Sequence, residues 1–201
     1  MRVPAFFEDV PGIAVQDPLA ALLGAAEHGR IEYSYADAVK LAGHSCPSVA
    51  SAWLLTVKAL AYLYPDELPQ RGNIRVELRE PLDASTAGVM ASVAALITGA
   101  AGEGGFKGIA GLHGRRNLLA FGAPIAATMR FTRLDTQCAV SATYHPERVP
   151  MPPDLKPLLA AATAPDADEA AGGAFGHCWQ GWVRTILIDH RDDAELIELT
   201  D

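Results

Sequence analysis

Residues 117–145 read NLLAFGAPIAATMRFTRLDTQCAVSATYH, and their reading decides the fold class. Three segments carry strand character: 117–122 (NLLAFG), 126–134 (AATMRFTRL) and 137–145 (QCAVSATYH). Connections this short join antiparallel neighbours, because a parallel pair needs a crossover of about a dozen residues or more. Upstream, 74–80 (IRVELRE) alternates polar and apolar, which predicts a strand with Val76 and Leu78 inward. A small-residue helix is expected over 84–98, stopped by Gly99. Downstream, the proline-rich connector 146–153 (PERVPMPP) precedes a helix near 154–163, an acidic link (APDADEA) and a last helix over 174–190. The tail RDDAELIELTD reads as a short terminal strand or a solvated end. Helices, one strand, a helix, three strands and more helices make an α+β fold, an antiparallel sheet packed with helices, and not a doubly wound parallel sheet. The residues after the connector are too few for their own core. Residues 1–201 therefore read as one domain, with C-terminal helices 154–190 packed on the core or on a dimer partner.

Composition narrows the function. Lys plus Arg is 16 and Asp plus Glu is 24, a formal charge of −8, which argues against nucleic acid as a partner. Half the residues are apolar and a fifth charged, an ordinary globular balance. The start, MRVPAFFEDVPG, has no apolar run long enough for a signal sequence. Two weakly polar stretches, 47–64 and 84–101, fall short of a membrane span: the first carries Lys58 and ends at Pro65, and the second is mostly Ala, Gly, Ser and Thr. They read as buried helices with more apolar surface than a small sheet covers, which predicts a homodimer. Three cysteines make no disulfide framework and suit a reducing, cytoplasmic setting.

The chemistry concentrates in SYADAVKLAGHSCP, residues 34–47. Ser34 and Asp37 form the start of a helix over 34–42, Gly43 ends it, and Pro47 suits the first position of the next. His44, Ser45 and Cys46 then sit in a tight junction between two helices. A thiol beside a helix N-terminus lies in the positive field of unpaired backbone N–H groups, which favours thiolate. With a histidine two residues away, this is a sensible donor pair for a borderline-soft ion such as zinc, although a complete site needs three or four ligands.

The segment GHSCPSVASAWL resembles the G-H-x-C-P-x-x-x-x-G element of the FmdE family, related to a component of formylmethanofuran dehydrogenase. The resemblance runs on through LITGAAGEGGFKG, where the family has a Thr-Gly stretch and a glycine-rich turn, and through NLLAFG, at its next strand. It covers roughly residues 34–145. It implies an α+β core, usually dimeric, with metal bound near the His-x-Cys element. The chain departs from the pattern in three places. Ala87 and Met90 stand where many members have Cys and Asp, Ala100 follows Gly99 in place of a cysteine, and no CxxC of a C-terminal zinc finger occurs. Only His44 and Cys46 carry over as ligands.

His177 and Cys178, on the last expected helix, are candidates to join them, although adjacent helical residues diverge by about 100°. His113 reads as a loop residue, and Cys138, alternating with Val140 and Tyr144, as core. The glycine-rich run, with Gly105, Gly108, Gly111 and Gly114 at every third position, matches neither a Walker loop nor a dinucleotide fingerprint. Its glycines expose backbone N–H groups beside Lys107, Arg115 and Arg116. Lys107 and Arg115 are therefore candidates for holding a small anionic ligand. Trp53, Trp179 and Trp182 read as core or interface anchors rather than stacking platforms. A second chemistry suits Cys46–Pro47: it resembles the Cys-Pro haem-regulatory dipeptide, with a thiolate axial ligand and His44, His113 or His177 opposite, which would make the chain a haem sensor or carrier.

Overall fold

The computed structural model describes residues 3–84 and 86–201. Its framework is a five-stranded sheet built on the alternation seen in the sequence. After a short antiparallel pair, β1 (Ile13–Gln16) with β2 (Arg30–Tyr33), come β3 (Ile74–Leu78), β4 (Leu119–Ala120), β5 (Met129–Arg133), β6 (Ala139–Tyr144) and β7 (Ile197–Thr200). The sheet order is β4-β3-β5-β6-β7. Cross-strand register places Val76, Phe131 and Val140 in one buried row and Leu78, Met129 and Ala142 in the next. Glu77, Arg130 and Ser141 line up on the opposite face. A sheet with one apolar and one polar face takes helices on one side only.

Those helices are α2 (Tyr35–Ala42), α3 (Pro47–Leu63) and α4 (Ala87–Thr98). Helix α3 packs on β5, β6 and β7 and against α4, while α4 covers β3. A short α1 (Pro18–Leu22) bridges β1 and β2, and α5 (Leu155–Ala162) and α6 (Glu169–Arg184) pack together near the C-terminus. The chain is thus α+β, as its pattern indicates.

Several boundaries differ from the sequence reading. Strand β4 is two residues long and parallel to β3, not antiparallel. The reason is connectivity: α4 and the glycine-rich segment lie between them and form a crossover, which returns the chain in the same direction. Helix α4 starts at Ala87 rather than 84, and residue 85 of the expected helix is outside the described residues, as are residues 1 and 2. Helix α6 starts at Glu169, inside the supposed acidic link, because the Asp168 carboxylate caps it by accepting from Ala171 N–H at 2.8 Å. Its C-terminal turn widens to π-helical winding over Thr185–Asp189. The tail does form a strand, β7, on the edge of the sheet.

The surplus of apolar surface that pointed to a homodimer is covered within the chain. Only Ala61 and Tyr62 of α3, and only Gly88 and Ser92 of α4, are exposed. No helix of the described residues is long and apolar enough to cross a membrane.

Candidate functional site

Local rules build the α2–α3 junction. The Ser34 N–H and hydroxyl both donate to Asp37 Oδ2, at 2.9 and 2.8 Å, in a capping box that starts α2. Gly43 ends it with φ of 76°, a left-handed conformation that costs a glycine little, and its N–H donates to the Val39 carbonyl. Four residues later Pro47 opens α3. The junction is held from two sides. Tyr35, fully buried, brings its hydroxyl within 3.0 Å of Ser45 Oγ. The Ser45 carbonyl accepts from Trp179 Nε1 at 2.8 Å and Gln180 Nε2 at 3.2 Å, which ties the junction to α6.

Within this frame His44 is exposed and Cys46 is buried at the edge of the apolar core. His44 Nδ1 lies 2.9 Å from the Ala42 carbonyl. A carbonyl only accepts, so Nδ1 is the protonated nitrogen, and in the neutral tautomer the lone pair lies at Nε2. This is the arrangement found behind metal-ligating histidines, whose second nitrogen donates to a carbonyl or carboxylate. Cys46 is the N-cap of α3, in extended conformation, and its side chain caps nothing. Its Sγ makes no disulfide.

Both residues line one groove of about 410 Å³. It is lined by His44, Cys46, Pro47 and Ser48 at the start of α3, by Thr86 and Val89 of α4 and its N-cap, and by Trp179 and Trp182 of α6. The indoles stand at 87° to each other with centroids 5.8 Å apart. Phe175, Trp179 and Trp182 share a face of α6, at i, i+4 and i+7. The tryptophans are thus both anchors and groove wall, a double role the sequence reading did not give them.

The other sequence candidates lie elsewhere. His177 is exposed and Cys178 half-buried on α6, and neither lines the groove, because the indoles take the α6 face that meets it. Cys138 is exposed rather than core. Strand β6 begins one residue later, and Cys138 belongs to the turn after Gln137, whose φ is 61°. Among the described residues no group of three or more His, Cys, Asp or Glu side chains is placed to hold a metal ion. The donor set therefore does not build a closed structural zinc site. Nor do two protein donors reach the three that an open, catalytic zinc site ordinarily has.

The expected anion site resolves differently. Lys107 is exposed on the glycine-rich segment, whereas Arg115 is buried, so the two are not partners. Arg115 Nη2 donates to Asp17 Oδ1 at 2.6 Å, and Arg71 Nη1 donates to Asp17 Oδ2 at 2.6 Å. The anion that Arg115 holds is the chain's own. Asp17 also caps α1, accepting from Leu19 and Ala20 N–H. Burial opposes its charge, but the Ala20 N–H and the two guanidinium groups win and hold its carboxyl below the ordinary aspartate range. Arg71 further donates to the Leu96 and Ile97 carbonyls at the end of α4. Gly72 and Gly99 pack flat on the Arg115 guanidinium, where a Cβ on either would overlap it. The tip of the loop is a two-residue hairpin in which Ile109 and Leu112 exchange N–H···O bonds of 2.9 Å through Ala110 and Gly111, both at positive φ. Asp17 was missed in the sequence. Its signal was the Asp-Pro pair at 17–18, an N-cap followed by proline at the first helical position.

No protein-family model matches the chain, and no curated protein is significantly similar to it.

Proposed function

We propose that the chain is a metal-binding protein of the FmdE-like, His-x-Cys type, with zinc held by His44 and Cys46 in the groove at the α2–α3 junction. The observation that carries this reading is the Ala42 carbonyl, which fixes the His44 tautomer and leaves Nε2 free in the groove that Cys46 also lines. An imidazole and a thiolate are a matched donor pair for zinc. When bound, the ion would supply Lewis acidity to whatever completes its shell. The chain's own residues contribute support: Trp179 and Gln180 hold the Ser45 carbonyl, which sets the backbone between the two donors. With two donors per chain, the rest of the shell comes from solvent, a bound small molecule or, in a homodimer, a second copy. A cytoplasmic setting would keep the Cys46 thiol reduced.

The test is the metal content of protein incubated with zinc and then freed of excess by gel filtration. The wild type should retain zinc in stoichiometric amount, Cys178→Ser should match it, and Cys46→Ser and His44→Ala should not. A metal-free wild type, or equal zinc in Cys46→Ser, overturns the reading. A second reading, haem bound through the Cys46 thiolate, draws support from the apolar walls Val89, Trp179 and Trp182 beside Cys46–Pro47. It predicts a Soret band on titration with haemin that disappears in Cys46→Ala.

A further inference from the structure

We infer that the hairpin of the glycine-rich segment is a membrane-docking finger, which enters the headgroup region of an anionic lipid bilayer without crossing it. It is independent of the metal site. Apolar side chains crowd one short turn: Phe106, Ile109 and Leu112 are 44%, 41% and 63% exposed, and Ala110 and Gly111 are exposed between the last two. Ile109 and Leu112 are paired directly across the turn, so their side chains stand on one face. A Cβ added at Gly104 or Gly111 would enter open space, so the finger stands clear of its surroundings. Its base is fixed. The Arg115 N–H donates to the Phe106 carbonyl at 2.8 Å, and the Arg115 guanidinium is held by buried Asp17. A finger ordered in advance loses little entropy on docking.

Charge points to the same partner. Of the basic residues in this segment, Arg115 is paired to Asp17, whereas Lys107 and Arg116 are exposed and make no ion pair among the described residues. Glu103, also exposed, is the only acid of residues 99–116. A chain of formal charge −8 thus presents two unpaired cations beside its exposed apolar turn. Acids beyond a Debye length of about 8 Å are largely screened. Area decides between a bilayer and a protein. The three side chains expose on the order of 300 Å², well below the roughly 800 Å² per partner of a stable protein interface. A bilayer needs no matching pocket, and binding to it scales with the apolar area immersed plus attraction to anionic headgroups.

The experiment is cosedimentation of the full chain with vesicles of phosphatidylcholine alone, and of phosphatidylcholine with phosphatidylserine at about 7:3, in low and in high salt. The wild type should sediment with the phosphatidylserine vesicles, and about tenfold more weakly with phosphatidylcholine alone or in high salt. Lys107→Ala and Arg116→Ala should each weaken binding about fivefold. Leu112→Ser should weaken it about tenfold, and Phe106→Ser combined with Leu112→Ser should abolish it, with circular dichroism confirming that the variants fold. If the double variant does not fold, Leu112→Ser alone decides the question. A wild type that stays in solution, equal binding to both vesicles, or undiminished binding by the serine variants overturns the inference. So does a wild-type dimer in sedimentation equilibrium that Leu112→Ser dissociates, which assigns the finger to a second copy of the chain.

Discussion

The Asp17 cluster and the α2–α3 junction are both polar knots in a largely apolar chain, and they differ in what they leave unengaged. In the first, two guanidinium groups converge on one buried carboxylate, and the bonds of Arg71 reach on to the end of α4. Asp17 meets both guanidinium groups from inside, with Arg115 Nη1 alone left without a hydrogen-bond partner, so the cluster fastens the N-terminal β1–α1–β2 unit to α4 and the glycine-rich segment. In the second, the backbone carbonyls are satisfied, while an imidazole nitrogen and a thiol face a groove with no protein partner. A polar group held in place but not consumed is what a binding site requires. Arg115, read from sequence as half of an anion site, is taken up by the chain's own Asp17, and the short His-Ser-Cys turn is the candidate site.

Mutations should separate the two regions. The largest effect on stability is expected from Asp17→Asn, which keeps the shape and strips the charge from beneath two arginines. Leaving buried charge unpaired costs about 3–5 kcal/mol, read as a lower urea midpoint, with zinc content unchanged in whatever remains folded. Next is Gly99→Ala, which forces a Cβ to positive φ and against the Arg115 guanidinium. A loss of about 2 kcal/mol is expected from strain of this kind. His44→Ala should behave oppositely. The side chain is exposed, so the midpoint should move by no more than about 0.5 kcal/mol while zinc retention is lost. A variant that destabilises strongly and still binds zinc at position 44 would erase the distinction.

The pH dependence carries the same contrast at smaller scale. The Asp17 carboxyl is held below the usual value of 3.8, so its stabilisation is present above that pH and is lost as the pH falls through the lowered value. Urea unfolding at successive acid pH values should show this loss, and Asp17→Asn should flatten it. His145 gives the opposite limb. Its Nδ1 meets Glu147 Oε1 and its Nε2 meets Glu198 Oε2, each at 3.1 Å. The hydrogen bond to Glu198 leads in raising its pKa above 6.5, with Glu147 adding to it. The stability it lends β7 is present below 6.5 and fades as the pH rises through the raised value, which His145→Gln should remove. Lys107→Ala, on an exposed loop, should change neither stability nor zinc retention by a measurable amount.

What was legible in the sequence was local. Ser34 with Asp37, Gly43 and Pro47 each follow a rule that spans four residues or fewer, and each stands where that rule puts it. The inward Val76 and Leu78 follow the period of a strand. What was not legible depends on distant partners. Asp17 and Arg115 are 98 positions apart, and nothing near either names the other. The direction of β4 is set by a crossover outside it, and the exposure of Cys138 by where a turn ends. The tryptophans of α6 show both kinds: their helical spacing was readable, and the groove they wall was not.

The most direct test of the account is a titration of metal-free protein with cobalt(II), followed by thiolate-to-cobalt charge-transfer absorption, in the wild type, Cys46→Ser and His44→Ala. The account predicts a charge-transfer band in the wild type that is absent from Cys46→Ser and weakened or shifted in His44→Ala. A wild type without the band, or a band that persists undiminished in Cys46→Ser, would contradict it.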